Sequence, residues 1–206
     1  MSCLSQGFVN LNFESAVLIT NGSTQIAIVV ASNAIPGWTA TGYLGPDFIL
    51  CGSASAGSSS VSILVTNGLD LPIDGAYSIL LYGGHSAASA SISQTGIVPA
   101  SAVSILFKAN FAGPPGGILL VSLGGQNIDF SAISNGPNYT LYGGDISAFA
   151  GQSEQLMFSA LRGENLWNID DIQFSSTPVP EPSTFALAAL GGLLLGFRRI
   201  LRVEKQ

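Results

Sequence analysis

"SVSILVTNGLDLPIDGAYSILLY" (residues 60–82) decides the fold class. Two short runs rich in β-branched and apolar residues, 60–66 and 77–82, flank a segment containing Asn67-Gly68 and Asp74-Gly75. Val, Ile and Tyr fit a pleated surface, and Asn-Gly and Asp-Gly turn the chain at positive φ, so both runs read as strands. "AVSILFKA" (102–109), "GILLVSL" (117–123), "SEQLMFSAL" (153–161) and "WNIDDIQF" (167–174) repeat the pattern. In residues 103–109 the period is two. Val103, Ile105, Phe107 and Ala109 fall on one face, with Ser104 and Lys108 on the other. Gly113-Pro114-Pro115-Gly116-Gly117, Gly124-Gly125 and Asn135-Gly136-Pro137 punctuate the runs. This spacing of strands and turns predicts an all-β, antiparallel β-sandwich over residues 6–175. "SASAGSSS" (53–60) reads as a flexible surface loop. "YGGH" (82–85) and "YGGD" (142–145) read as one strand-exit sequence used twice rather than a duplication.

Composition agrees with a packed β domain. Apolar residues make up 47% of the 206 residues and charged residues only 9%, against roughly 25% charged in an ordinary soluble domain. Charge is divided unevenly. Residues 1–177 hold two basic residues and ten acids, a balance of 2 − 10 = −8, while the tail from Pro178 holds four basic residues and two acids, 4 − 2 = +2. An acidic body repels phosphate backbones, so a nucleic-acid partner is excluded.

The tail differs from everything before it. Pro178, Pro180 and Pro182 block helix and sheet pairing and predict an extended, accessible linker over 176–182. Phe185 to Phe197 is thirteen residues without a charge, about 20 Å as a helix. A bilayer core is roughly 30 Å thick, so the segment spans if it continues to Val203 with its arginines snorkelling. Phe185, Leu187, Leu190, Leu193, Leu194, Leu195 and Phe197 occupy every face, which suits lipid better than one side of a core. Arg198, Arg199 and Arg202 form a basic stop that holds the C-terminus in the cytoplasm and the body outside. Residues 183–206 are thus read as a hydrophobic transmembrane helix with a basic tail.

Val179-Pro180-Glu181-Pro182-Ser183-Thr184, the hydrophobic span and Arg198-Arg199, in that order at the C-terminus, resemble the PEP-CTERM sorting segment of Gram-negative bacteria. The resemblance implies export, recognition by an exosortase-type membrane protease, and association with extracellular polysaccharide or biofilm. The residues after Arg199 extend the usual basic ending. Export requires an N-terminal signal, and "MSCLSQGFVN" has neither a basic region nor a long apolar run. Cys3 and Ser5 suit a signal-peptidase site before Gln6, so residues 1–5 are read as a signal-peptide remnant, with the true start upstream.

"GFVNLNFES" (7–15), "IPGWTA" (35–40), "YGGDISAFAGQSEQLMFSA" (142–160) and "WNIDDIQF", in that order, resemble jelly-roll domains of the carbohydrate-binding kind. Pairing of the terminal strands, which that resemblance implies, brings Glu14 beside Asp170 and Asp171. Three carboxylates so placed suit a structural Ca²⁺ ion, which related modules hold at about that place. The alternative is that they are solvated strand-end acids. Trp38 and Trp167 are candidates to stack on sugar rings from the rim, or else core plugs.

No catalytic constellation stands out. His85 is the single histidine, which excludes His-rich zinc sites. "GHSAA" (84–88) lacks the second glycine of a nucleophile elbow. Cys3 and Cys51 pair if Cys3 is retained. Otherwise Cys51 is a lone buried thiol. The sequence as a whole reads as an exported, non-catalytic surface or matrix protein, anchored by its C-terminus or released after processing. The alternative is a glycan-binding module.

Overall fold

The computed structural model describes residues 7–18, 27–55, 57–85 and 89–179. Within them the chain forms thirteen strands: β1 (Ala27–Val30), β2 (Thr39–Thr41), β3 (Phe48–Cys51), β4 (Ser60–Val65), β5 (Tyr77–Gly84), β6 (Ala90–Ile97), β7 (Ser104–Ala112), β8 (Leu119–Leu123), β9 (Gln126–Asn127), β10 (Phe130–Asn135), β11 (Thr140–Asp145), β12 (Ser153–Ala160) and β13 (Gly163–Ser175). A one-turn helix α1 (Ala31–Ala34) follows β1, and a 3-10 turn (Ser147–Phe149) follows β11. One sheet has the order β1-β3-β4-β5-β13-β7-β11-β10, the other β2-β6-β12-β8-β9. Every strand pair is antiparallel except β3 with β4.

The opening stretch pairs with itself, Val61 opposite Leu81 and Ile63 opposite Ile79. Its connection is not a tight turn. Residues 66–76 lie over the outer face of the large sheet, where Ile73 is buried. The carbonyls of Leu71 and Ile73 accept from Asn168 at 3.3 Å and Asn138 at 3.0 Å. All of β4 is buried, on both faces. "SASAGSSS" is likewise pinned at its end: Ser59 and Ser60 are buried, and the Ser59 carbonyl accepts from Tyr43 N–H at 2.9 Å. Gly84, at φ 62°, passes so close that an added Cβ would lie 2.4 Å from the Ser59 nitrogen.

Ile105, Phe107 and Ala109 point into the core as their period requires. Phe107 is its aromatic centre, with the rings of Phe130, Tyr142 and Phe158 at 5.2 to 5.5 Å. Phe158 belongs to the opposite sheet, so this contact joins the two layers. The 7–15 stretch, expected to be the first strand, instead forms turns, apart from one parallel bridge from Gly7 to Ile97. The Val9 backbone is satisfied by a side chain. Gln94 accepts from Val9 N–H at 2.6 Å and donates to the Val9 carbonyl at 3.1 Å.

The tail residues Pro180 to Gln206, including Glu181, Pro182, Ser183, Thr184 and the hydrophobic and basic segments, lie outside the described residues. Among the described residues no helix is long and apolar enough to cross a membrane.

Candidate functional site

Three sequence landmarks converge at one edge. Asn10 is the hub: its side chain donates to the Pro36 carbonyl (3.3 Å) and accepts from Ser15 N–H (3.0 Å), while its carbonyl accepts from the Trp38 indole (3.0 Å). Leu11 O accepts from Ile172 N–H at 2.9 Å, and the Phe8 and Phe174 rings stack at 5.0 Å. Asn10, Phe13 and Asp171 all adopt positive φ (50°, 58° and 47°). For non-glycine residues this conformation is costly and persists only where surroundings enforce it. Asp171 lies where the β13–β7 register shifts, at a bulge that re-aims its side chain.

Glu14, Asp170 and Asp171 do meet. They line a cavity of about 240 Å³ with Asn12, Asp74 and Gly75. Glu14 arrives from an irregular segment, not from a paired terminal strand, and Asp74 comes from the β4–β5 connection. Each carboxylate already has a protein donor. One Glu14 oxygen accepts from Ala76 and Tyr77 N–H at 2.9 and 3.0 Å. Asp170 accepts from Asp171 N–H at 2.7 Å, and Asp74 from Gly75 N–H at 2.8 Å. Lys108 supplies the positive charge, its Nζ 2.6 Å from Asp74 and 3.0 Å from Asp171. Its ammonium also stands 5.1 Å from the centre of the Tyr139 ring.

The cluster draws part of its countercharge from the protein itself. Calcium takes six to eight oxygens. Here Lys108 pairs with two of the carboxylates, and among the described residues no group of three His, Cys, Asp or Glu side chains could hold a metal ion. Asp170 is 2% exposed. Burial pushes its carboxyl up to about 7, against the pull of the Asp171 N–H. The Lys108 hydrogen bond, helped by Gly75 N–H, holds Asp74 below the usual carboxylate range. Lys108 is raised, chiefly by its hydrogen bond to Asp74. Lys108 and Asp74, decisive here, carried no sequence signal beyond charges at a strand centre and a turn.

Of the two readings of the tryptophans, burial favours the core plug. Trp38 is 5% and Trp167 8% exposed, so neither offers a face to a sugar ring. Trp38 packs on Phe13 and Trp167 on Phe111 as core plugs. Cys51 is a buried free thiol whose pKa burial raises, and Cys3 lies outside the described residues. His85 sits on the surface, its Nε2 3.0 Å from Glu164.

A second cavity, about 570 Å³, lies where the chain leaves the sandwich. Val103, Phe130, Gly143, Ser147, Asp129 and Asp145 line it, together with Pro178 and Val179. Val103 N–H donates to Ser175 O at 2.8 Å and the buried Ser104 hydroxyl donates to Thr177 O at 2.7 Å. Gly143 leaves room for Val179: an added Cβ would lie 2.9 Å from its methyl group. The chain therefore touches the body at Val179, one residue before Pro-Glu-Pro, while residues 176–178 are exposed.

No curated protein matches the chain. A solved structure, the enzymatically active domain of tailspike protein 4 from bacteriophage CBA120, is similar at 17% identity and a TM-score of 0.40. The likeness covers 80% of this chain and 21% of that one, so the chain spans about a fifth of its length. Residues 178–200 match the PEP-CTERM protein-sorting motif. The docked junction thus leads into a PEP-CTERM sorting signal, which implies an exported protein anchored at its C-terminus.

Proposed function

We propose that this chain is a non-catalytic structural protein of the bacterial surface or extracellular matrix, delivered by its sorting segment and processed by an exosortase-type membrane protease. The match of residues 178–200 to the sorting motif carries the reading. Phe185–Phe197 forms the transmembrane anchor and Arg198, Arg199 and Arg202 its cytoplasmic stop. The body is of jelly-roll type. In support, β5-β13-β7-β11 faces β6-β12-β8-β9, the order produced when one long antiparallel hairpin rolls up.

The outer face of the smaller sheet favours a structural role over glycan binding. Opposite the inward Ile92, Leu156 and Phe158, it presents Thr39, Thr41, Ser93, Thr95, Ser153 and Gln155, interspersed with the aliphatic Ile97, Leu120 and Met157. Such a face offers hydroxyls but no aromatic platform for a sugar ring. Expression of the full gene with and without an exosortase tests the reading. Accumulation outside the cell at reduced mass only when the protease is present is expected. Retention of the whole chain in the cytoplasm in both hosts overturns it, and tight binding of the isolated body to a purified polysaccharide favours the glycan reading.

A further inference from the structure

We propose that, in the unprocessed protein, one pole of the sandwich faces the membrane and the opposite pole is held away from it. This rests on the sorting reading above. The near pole is where β13 ends, β7 begins and β11 ends, with Ser104 opposite both Ser175 and Asp145. The 3-10 turn Ser147–Phe149 caps it, tied back by the Ile146 N–H to Val103 O bond at 3.0 Å. Ser104 and Gly143 fix Thr177 to Val179 on this pole. From Val179 to Phe185, the first residue of the apolar span, is six residues, a reach of about 20 Å when fully extended.

The far pole lies at the other end of β13, where Gly163 pairs with Gly84 and Glu164 meets the chain after β7. β13 is thirteen residues long, so the far pole stands about 40 Å beyond the near one. Residues 1–177 carry −8, and anionic headgroups therefore oppose the body's lying flat. The partner surface is a lipid bilayer, held near by the tether rather than by charge: Asp129 and Asp145 border the near cavity, and the body's basic residues, Lys108 and Arg162, sit in mid-sheet and between β12 and β13. In this orientation the tether permits protease access only at the near pole, and the far pole projects outward.

The test uses the full chain in vesicles of phosphatidylcholine and phosphatidylglycerol containing a headgroup-labelled acceptor lipid. In a Cys3→Ser background, with Cys51 buried, a donor dye is placed through Ala148→Cys at the near pole or Pro115→Cys at the far one. Both positions are exposed. Transfer from the near position at least about twice that from the far one is expected from the distances above. A ten-residue Gly-Ser insertion after Val179 should erase the difference. Equal or reversed transfer in protein that floats with the vesicles overturns the orientation while leaving the anchor intact. Failure to float overturns both this inference and the anchor on which it rests.

Discussion

Lys108 Nζ lies 2.6 Å from an Asp74 carboxylate oxygen and 3.0 Å from one of Asp171, joining β7 to a loop and to the bulge of β13. This one ammonium is the countercharge in a cavity that also holds Glu14 and Asp170. Lys108→Met keeps the stem and removes the charge. With Asp74 largely exposed and Asp171 less so, solvent screens part of the loss, and a destabilisation of about 1–2 kcal/mol is expected by denaturant unfolding. A variant as stable as the wild type would show the ion pairs to be incidental.

Because the lysine occupies the role a cation would fill, the melting temperature of the wild-type body should be the same in excess chelator and excess Ca²⁺. A ligand bound only to the folded state raises it by mass action. A reproducible rise with calcium would restore the metal site, and Glu14→Ala should then abolish it.

Asp170 gives the fold a pH dependence. Its carboxyl is raised from the ordinary 3.8 to about 7 by burial. Between those values the folded state holds a proton the unfolded state has released, so stability falls as pH rises through the window. Asp171, Asp74, Glu14 and Lys108 surround it. Asp170→Asn should be near neutral at pH 4 and stabilising at pH 8, by on the order of 2–4 kcal/mol, read as a rise in melting temperature. A pH-independent effect would show that Asp170 does not titrate in that window.

Deleting 178–206 leaves Thr177, the acceptor of the Ser104 hydroxyl, in place. Among the described residues the deletion removes Pro178 and the half-buried Val179 contact, about 1 kcal/mol. Cooperative thermal unfolding should persist. Its loss would make the tail part of the domain.

If Pro-Glu-Pro is read by the protease, Glu181→Ala should block cleavage and spare insertion, because the span and its arginines do not need that carboxylate. The measurement is apparent mass and membrane fractionation in a host carrying the exosortase. Full release of the variant would reduce the motif to a linker.

The sequence by itself determined the strand character of 60–66, 77–82, 102–109, 117–123, 153–161 and 167–174, because period-two alternation and turn pairs are local signals. It also determined the sorting segment, whose chemistry is linear: a tripeptide, an oily span and a basic stop. It did not reveal β6, whose outer positions are Ser, Thr and Ile97 and whose inward Gln94 hides its alternation. Only the tertiary structure decided that 7–15 is a clasp and not a strand, since Gln94, 85 residues away, bonds both backbone groups of Val9 where a neighbouring strand would. The tertiary structure likewise decided that Trp38 and Trp167 are core and that Lys108 occupies the acidic cavity. Burial and charge pairing depend on which segments meet across the sandwich, and no local pattern encodes that meeting.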